Sequence, residues 1–336
     1  MDITKTVVWL ATALLAFFLS EMLGKRLIPL LHRLKFGQTI REEGPAWHQK
    51  KSGTPTMGGV IFIAAILVVS VIAMAVCQLF LPLKPVAADD SVADITRLFA
   101  GILMAVGFGL IGFLDDFIKV VKKRNLGLTS RQKLLAQLLV SSVYAVALYL
   151  ADATRIHIPF IGFWDAGIWF IPITVFILVA MTNATNLTDG VDGLCATVTL
   201  AATLFFLMLC NVFTGFSVFM SATAGALAGF LVWNLHPAKV FMGDTGSLFL
   251  GGVLCAVAFG IGRPFLLVPF GIIYVAETVS VVLQVSYFKW THGKRLFKMS
   301  PLHHHFEMCG WSENKIVTVF TLVTVIGCIL GVLFLV

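Results

Sequence analysis

The chain alternates between long apolar runs and short polar connections. The runs have the length of membrane-spanning helices, about 20 residues each, and they lack the alternation of apolar and polar positions that marks the strands of a membrane barrel. The pattern therefore predicts an all-α, polytopic integral membrane protein with ten transmembrane helices in a single domain, 1–336. The ten runs lie at 6–24, 58–81, 98–118, 134–151, 168–184, 194–213, 217–234, 246–262, 265–288 and 316–335.

Composition supports this reading. Of the 336 residues, 59% are hydrophobic and only 12% are charged, whereas a soluble domain has about 25% charged residues. The mean hydropathy of +0.96 and the 29 Phe also exclude a disordered chain. The six cysteines form no C-x-x-C pair, so they are interpreted as small core residues and not as a disulfide framework or a zinc site.

The basic residues predict which side of the membrane each connection faces. The connections 25–57, 119–133, 185–193, 235–245 and 289–315 carry 7, 6, 0, 1 and 5 of them, which is 19 of the 24. By the positive-inside rule these connections are cytoplasmic, which places both termini on the extracytoplasmic side. The net charge of +7 is therefore a signal of topology, and no soluble basic module exists that would bind nucleic acid.

Unusual polar residues gather in five segments on the predicted cytoplasmic side. Because segments far apart in sequence present such groups at one face of a helical bundle, we expect an active site there. The segments are 48–59, 112–124, 183–193, 234–247 and 301–307.

Three aspartates in these segments are candidates for metal and phosphate chemistry. Asp115 and Asp116 are adjacent at the end of the third run, and a Mg²⁺ ion would relieve the repulsion between two such carboxylates. The alternative is that both face water. Asp244 precedes an apolar helix between two glycines, where it could either serve a bound phosphate or cap the helix.

A second group is spaced at three-residue intervals, with Asn183, Asn186, Asp189 and Asp192 on one flank if the segment stays helical. Side chains of this kind form hydrogen bonds with the donors and acceptors of a base or a ribose. The alternative is a cap and turn before the next helix.

The last cytoplasmic segment contains three consecutive histidines, 303–305. They are too few for a zinc site, and they suit contact with a phosphate or another anion. Glu277 and Gln284 are seven residues apart on the ninth run and should face the bundle interior. The basic residues of the first two cytoplasmic connections serve either a phosphorylated substrate or anionic lipid headgroups.

Taken in order, five motifs resemble the prokaryotic polyprenyl-phosphate N-acetylhexosamine-1-phosphate transferases. The first and the last motif are similar to the muramoyl-pentapeptide branch of that superfamily. The motifs are Lys-Ser-Gly-Thr-Pro-Thr-Met-Gly-Gly, Gly-Phe-Leu-Asp-Asp, Asn-Leu-Thr-Asp-Gly, Met-Gly-Asp-Thr-Gly-Ser and Pro-Leu-His-His-His-Phe-Glu.

This resemblance implies a reaction and its partners. UDP-N-acetylmuramoyl-pentapeptide and undecaprenyl phosphate would give lipid I and UMP with Mg²⁺ as cofactor, in peptidoglycan synthesis. It also implies ten helices in the bacterial inner membrane, contact with membrane lipid, a homodimer, and an active site that faces the cytoplasm.

The resemblance also assigns roles to residues. Those implied in catalysis are Asp115, Asp116, Asp244, His303 and His304. Mg²⁺ would be bound by Asp244 first and by Asp115 second. The implied substrate-binding residues are Lys51, Thr56, Lys119, Lys123, Lys133, Asn183, Asn186, Asp189, Asp192, Asn234, Phe241, Gln284 and His305.

Three rival functions are weighed against this one. An intramembrane aspartic protease would have Tyr before the first aspartate and Gly-x-Gly before the second, where this chain has Leu114 and Phe241. A transporter with inverted halves would show an internal repeat, and none is seen. The nearest rival is a sister transferase that uses another UDP-hexosamine.

Overall fold

The structure is a computed structural model that describes residues 3–33, 53–80, 91–122, 126–210 and 215–335. Within these ranges, nine helices are long and apolar enough to cross a membrane, and the apolar helix Leu194–Leu209 is shorter. The predicted all-α, polytopic membrane fold is confirmed. The helices are α1 (Ile3–Arg33), α2 (Gly59–Phe80), α3 (Ser91–Val121), α4 (Ser130–Leu150), α5 (Phe170–Thr188), α6 (Leu194–Leu209), α7 (Gly215–Asn234), α8 (Gly243–Gly260), α9 (Leu267–Phe270), α10 (Ile272–Trp290), α11 (Leu302–Met308) and α12 (Glu313–Gly331).

Helices α7 and α8 form the centre of the bundle. In each of them 89% of the most apolar stretch is buried, against 22% in α1. Small residues make this close packing possible: a side chain at Gly225 would collide with the backbone of Ala13 in α1. Since lipid provides little hydrophobic drive between helices, such close backbone contacts contribute much of the packing energy.

Helices α3 and α8 pack against each other in antiparallel fashion. Gly252 lies against Ala105, and further along the pair Gly112 lies against the backbone of Asp244. The second contact leaves no room for a Cβ atom. It brings the carboxyl-terminal part of α3 directly onto the first turn of α8.

Two predicted runs differ from the observed helices. The run 265–288 is divided into a 3-10 turn, Pro264–Leu266, followed by α9 and α10. The prediction of one continuous helix is wrong because Pro269 donates no backbone hydrogen bond and Gly271 then interrupts the helix. The run 194–213 ends as a helix at Leu209, and residues 211–214 lie outside the described part.

A β-hairpin joins α4 to α5, and the sequence pattern did not predict it. Strands β1 (Arg155–Ile158) and β2 (Gly162–Asp165) pair antiparallel, with Arg155 opposite Asp165. The backbone N–H of His157 donates to the carbonyl of Gly262 at 2.7 Å, which fixes the hairpin to the connection that follows α8. The hairpin thus marks the end of the bundle opposite to the polar segments.

Candidate active site

The three predicted catalytic aspartates meet where α3 contacts the first turn of α8. Asp115, Asp116 and Asp244 each have a carboxylate oxygen within 4.8 Å of the others. Asp115 and Asp116 are 3% and 2% exposed. The structure therefore brings together residues that are more than a hundred positions apart, and the alternative that Asp115 and Asp116 simply face water is excluded.

Asp116 holds the start of α8. Its Oδ2 accepts hydrogen bonds from the backbone N–H of Thr245 at 2.9 Å and from the Thr245 hydroxyl at 2.7 Å, and its Oδ1 accepts from the backbone N–H of Asp244 at 3.2 Å. The first N–H groups of a helix have no partner within the helix and attract negative charge. Asp116 thus acts as a cap supplied by another helix.

Two lysines place positive charge among the carboxylates. Lys119 Nζ lies 2.6 Å from Asp115 Oδ2 and 3.2 Å from Asp244 Oδ2, and Lys133 Nζ lies 2.8 Å from the same Asp244 oxygen. Two ammonium groups therefore face three carboxylates. With all five groups ionised, the cluster carries one net negative charge.

Helix α5 contributes amides to the same cluster. Asn186 Nδ2 donates to Asp244 Oδ1 and to Ser247 Oγ, both at 2.9 Å, and its Oδ1 accepts from Lys133 at 3.2 Å. One turn earlier, Asn183 exchanges hydrogen bonds with Gln137 of α4 at 2.8 and 3.4 Å. Asn186 therefore orients Asp244, whereas Asn183 joins α4 to α5. Gln137 was not among the predicted site residues, and its only signal in the sequence is that it is a polar residue within an apolar helix.

The segment before α2 lies against the start of α8. The carbonyl of Pro55 accepts from the N–H of Phe241, and the N–H of Gly58 donates to the carbonyl of Phe241, both at 2.8 Å. Gly243 has a left-handed φ of 69°, and a Cβ there would crowd Thr56 Oγ1 and Asp116. Thr56 is buried, and its hydroxyl lies beside Asp116 at the start of α8.

Asp189 follows α5 at the margin of the cluster. Burial, reinforced by the negative charges of Asp244, Asp116 and Asp192, raises the pKa of Asp189 well above its usual range. A carboxyl in this position accepts a proton more readily than a solvated one.

Asp192 belongs to a second group of side chains. Its Oδ2 lies 3.0 Å from His236 Nδ1 and accepts from the backbone N–H of Ala238 at 3.0 Å. Glu313 accepts from the backbone N–H of Asp192 at 3.2 Å. These contacts join the ends of α5, α7 and α12. His236 and Glu313 were not among the predicted site residues, because nothing in the sequence relates them to Asp192.

The three histidines face different surroundings. His303 is buried, and its Nδ1 and backbone N–H lie 3.1 and 3.2 Å from Glu277 Oε1. His304 Nδ1 lies 2.7 Å from Glu307. His305 Nδ1 accepts from the backbone N–H of Lys298 at 3.2 Å. His303 packs against the turn after α5, where a side chain at Gly190 would collide with its ring.

Two further predicted residues lie on helices and bond to the backbone of the loops that follow them. Gln284 Oε1 accepts from the N–H groups of Leu296 and Phe297 at 3.1 and 2.8 Å. Asn234 Nδ2 donates to the carbonyl of Val240 at 2.9 Å. Both amides shape the loops around the site.

Lys51 and Lys123, which were predicted to contact phosphate, lie outside the described residues.

The cluster offers the kind of ligands that a divalent cation takes. Carboxylate oxygens are the hard ligands that such a cation prefers, and those of the three aspartates are close enough to share one ion. Asp116 accepts hydrogen bonds from the first turn of α8, whereas Asp115 and Asp244 each contact the ammonium group of Lys119, which occupies the place of a cation between them. The residues present fit a divalent metal.

Comparisons with known proteins match segments of the chain that contain these residues. Residues 98–261 match the family model described as glycosyl transferase family 4, a range that includes all three aspartates. Residues 51–63 match phospho-N-acetylmuramoyl-pentapeptide-transferase signature 1, which includes Thr56.

Curated relatives match nearly the whole chain. A phospho-N-acetylmuramoyl-pentapeptide-transferase of Clostridium botulinum (strain Alaska E43 / Type E3) is 48% identical over 326 residues, which cover 96% of this chain and 95% of that protein. The protein of the same name from Clostridium perfringens (strain 13 / Type A) is 47% identical over 94% of this chain and 95% of its own. That from Acetivibrio thermocellus is 47% identical over 95% and 92%.

Proposed function

The chain belongs to the phospho-N-acetylmuramoyl-pentapeptide-transferase family, and from this premise we propose that it transfers phospho-N-acetylmuramoyl-pentapeptide from UDP to undecaprenyl phosphate. The products are lipid I and UMP. The protein is a membrane transferase of peptidoglycan synthesis. The observation that carries the proposal is the cluster of Asp115, Asp116 and Asp244 with Lys119 and Lys133.

The charges of the cluster suit a reaction between two anionic phosphates. Phosphoryl transfer depends mainly on positioning and on neutralisation of charge. Lys119 and Lys133 supply two positive charges at Asp244 Oδ2. Asp244 and Asp115 would hold Mg²⁺, which when bound would neutralise phosphate charge.

Direct attack fits the cluster best. An oxygen of undecaprenyl phosphate forms a bond to the β-phosphorus of the UDP-sugar, and the bond between that phosphorus and the oxygen bridging to the α-phosphorus breaks. The bridging oxygen leaves on UMP with its electron pair. The lipid phosphate is already ionised, so it needs no covalent aspartyl intermediate. Asp116 holds α8 in place, and Asp115 with Lys119 orients the lipid phosphate.

The nucleotide and the sugar are assigned to the surrounding segments. Asp189, Asp192 and Phe241 would bind the uridine side, in a pocket whose wall Asn234 shapes. His303 and His304 would meet the sugar phosphate, and Gln284 and His305 would hold the loop that carries them. Thr56 and the two predicted lysines of the neighbouring loops, Lys51 and Lys123, would contact phosphate oxygens.

We propose the placement in the cell on the same premise. We assign the protein to the bacterial inner membrane as one domain, 1–336, with the aspartate cluster facing the cytoplasm and both termini outside. UDP-sugars are cytoplasmic, and the connections on that side carry 19 of the 24 basic residues. The working unit proposed is a homodimer.

Release of UMP tests the function. Purified protein with undecaprenyl phosphate and Mg²⁺ should release UMP from UDP-N-acetylmuramoyl-pentapeptide and show no useful turnover with UDP-N-acetylglucosamine. Comparable rates with both UDP-sugars would place the protein in the sister branch.

The histidine loop gives a second test of the branch. His303→Ala or His304→Ala should lower activity at least about tenfold, which is about 1.4 kcal/mol of transition-state stabilisation. Full activity in both variants would leave that loop a purely structural role.

A further inference from the structure

The loop between α7 and α8 is tied to two other segments by a cluster of polar side chains. Asp192 lies in the turn between α5 and α6, His236 lies in the loop, and Glu313 begins α12. One side-chain oxygen or nitrogen of each lies within 4.8 Å of the others. We call these three residues the His236 cluster. His236 itself lies between Asn234 and Phe241, which were both assigned to the nucleotide side.

His236 lies between the two carboxylates of the cluster. Its Nδ1 is 3.0 Å from Asp192 Oδ2 and 3.4 Å from Glu313 Oε1. An ionised carboxylate only accepts hydrogen bonds, so Nδ1 carries the hydrogen. Two carboxylates this close repel each other unless a donor or a positive charge lies between them. The ring of His236 therefore joins Asp192 to Glu313.

Asp192 holds the first part of the loop. Its Oδ2 accepts from the backbone N–H of Ala238 at 3.0 Å as well as contacting His236. The turn packs directly on the loop, because Gly193 has a left-handed φ of 78° and a Cβ there would crowd the side chain of Leu235. The Asp192 carboxylate is thus fixed at the point where the turn and the loop meet.

The same loop carries Phe241 at its end. Asn234 Nδ2 donates to the carbonyl of Val240 at 2.9 Å, which closes the loop on itself. Phe241 follows directly and is partly exposed. The position of its ring therefore depends on the conformation of the loop that Asp192 and Asn234 hold.

Glu313 fixes the cluster from α12. Its Oε2 accepts from the backbone N–H of Asp192 at 3.2 Å. The side chains of Asp192 and Glu313 are 4% and 12% exposed, whereas that of His236 is 40% exposed. Glu313 thus holds the backbone of the turn, and His236 covers the contact from the solvent side.

We propose that His236 and Glu313 are positioning residues for the nucleotide. The proposal rests on the function proposed above and adds two residues to its nucleotide side. They act through the Asp192 carboxylate and through the loop that carries Phe241. A pocket that is held in its binding conformation loses less entropy when the ligand binds, so removal of the cluster should weaken nucleotide binding and leave the chemical step intact.

A pair of substitutions at His236 tests the proposal by kinetics. His236→Ala should raise the KM for the UDP-sugar at least about tenfold, with kcat and the KM for undecaprenyl phosphate within about twofold of the unmodified protein. His236→Asn keeps an N–H donor near the place of Nδ1 and should restore most of the lost binding. An equal rise in both variants, or an equal rise of both KM values, would overturn the proposal.

A double-mutant cycle tests whether the two residues act together. Glu313→Ala should also raise the KM for the UDP-sugar, and its effect should be much smaller when His236 is already Ala, because either change breaks the same connection. The control is Asn314→Ala, an exposed position in the same turn of α12, which should behave as the unmodified protein. Fully additive effects of His236→Ala and Glu313→Ala would overturn the joint role.

Direct binding of UMP and of uridine is independent of turnover. Titration calorimetry on the purified protein should show that His236→Ala weakens both ligands by the same factor, since the loop that carries Phe241 serves the nucleoside. A loss confined to UMP would place the effect at the phosphate and overturn the assignment. Thermal unfolding of the same preparations is the check on the fold: a lowered Tm in His236→Ala that His236→Asn shares, together with a lowered kcat, would show a merely structural role.

The two proposals fail in different ways. Without UMP release by the unmodified protein, the proposed function fails. With normal UMP release and unchanged binding of UMP by His236→Ala, only the positioning role of the His236 cluster fails.

Discussion

At the scale of single residues, Asp116 and Asp244 differ in the partners that they face. Asp116 accepts three hydrogen bonds from the first turn of α8. Asp244 instead faces two ammonium groups and the Asn186 amide. In the proposed reaction Asp244 therefore holds charge near the phosphates, whereas Asp116 stabilises the start of α8.

Removal of the Asp244 charge tests this division. Asp244→Asn should lower kcat at least about a hundredfold, the size of loss expected when one electrostatic group is removed from a preorganised site, and it should weaken the dependence of rate on Mg²⁺. UMP release across a Mg²⁺ titration measures both effects. The control is Asp152→Asn, an exposed carboxylate after α4. A near-normal rate for Asp244→Asn at saturating Mg²⁺ would leave Asp244 a structural role only, as the partner of Asn186 and Lys133.

The raised pKa of Asp189 predicts that the stability of the protein depends on pH. Its pKa is raised in the folded protein, mainly by burial and then by Asp244, Asp116 and Asp192. Between its ordinary pKa, near about 4, and the raised one, the folded state binds more protons than the unfolded state, so stability falls as pH rises. Asp189→Asn should therefore raise Tm at neutral pH, and the gain should vanish below about pH 4.

Asp165 is the matched control with the opposite sign. The Thr154 hydroxyl and the Gly167 N–H donate to it at 2.6 and 3.1 Å and lower its pKa. Its stabilising contribution is present above its ordinary pKa and is lost as pH falls through the lowered one. Asp165→Asn should therefore lower Tm at neutral pH. Equal Tm changes in the two variants would contradict the assignment of the Asp189 shift.

The sequence could name many of these residues but not their partners. Adjacent aspartates and an aspartate at a helix start are visible as motifs, so Asp115, Asp116 and Asp244 were candidates from the outset. The bond from Asn186 to Asp244 spans 58 positions, and no local pattern encodes it. The sequence predicts Asn186 as a substrate-binding residue, and its bond to Asp244 is a contact that only the structure reveals.

At the scale of helices, the contact of Gly112 with α8 fixes the geometry of the cluster. A Cβ there would meet the backbone of Asp244, which cannot move as a side chain can. Gly112→Ala should separate α3 from α8, lower Tm by several degrees and lower activity at least about tenfold. The matched control is Gly107→Ala on the same helix, where a Cβ would meet only the side chain of Val140 at 3.1 Å.

The outcome for Gly112 depends on two measurements. Thermal unfolding in detergent and UMP release on the same preparations separate loss of packing from loss of catalysis. Equal behaviour of Gly112→Ala and Gly107→Ala would show that the close approach is not required.

Apolar periodicity predicted the helices better than it predicted their interruptions. A run of apolar residues shows that a segment can lie in lipid, and this was sufficient for the long helices. The apolar pattern does not show where a helix is interrupted, and therefore it did not predict that Pro269 and Gly271 divide one run into α9 and α10. The β-hairpin was not predicted because its strands are only four residues long and pair with each other, not with a larger sheet.

At the scale of the whole molecule, the hairpin and the aspartate cluster occupy opposite ends of α4 and α5. Lys133 begins α4 at the cluster, and Asn186 ends α5 there, while the hairpin connects their other ends. If the basic connections are cytoplasmic, as the positive-inside rule predicts, the hairpin is extracytoplasmic. A label at Ile161, the exposed tip of the hairpin, then marks the extracytoplasmic side. A label in the loop after α10 marks the cytoplasmic side.

Cysteine labelling in cells checks this orientation. In a Cys309→Ser background, which removes the exposed native thiol among the described residues, Ile161→Cys should react with a membrane-impermeant maleimide in intact cells. Lys294→Cys, in the exposed loop after α10, should react only after permeabilisation. The background protein without an added cysteine is the control. The reverse labelling pattern would turn the aspartate cluster away from the cytoplasm, where the UDP-sugar is made, and the transferase could not reach its substrate.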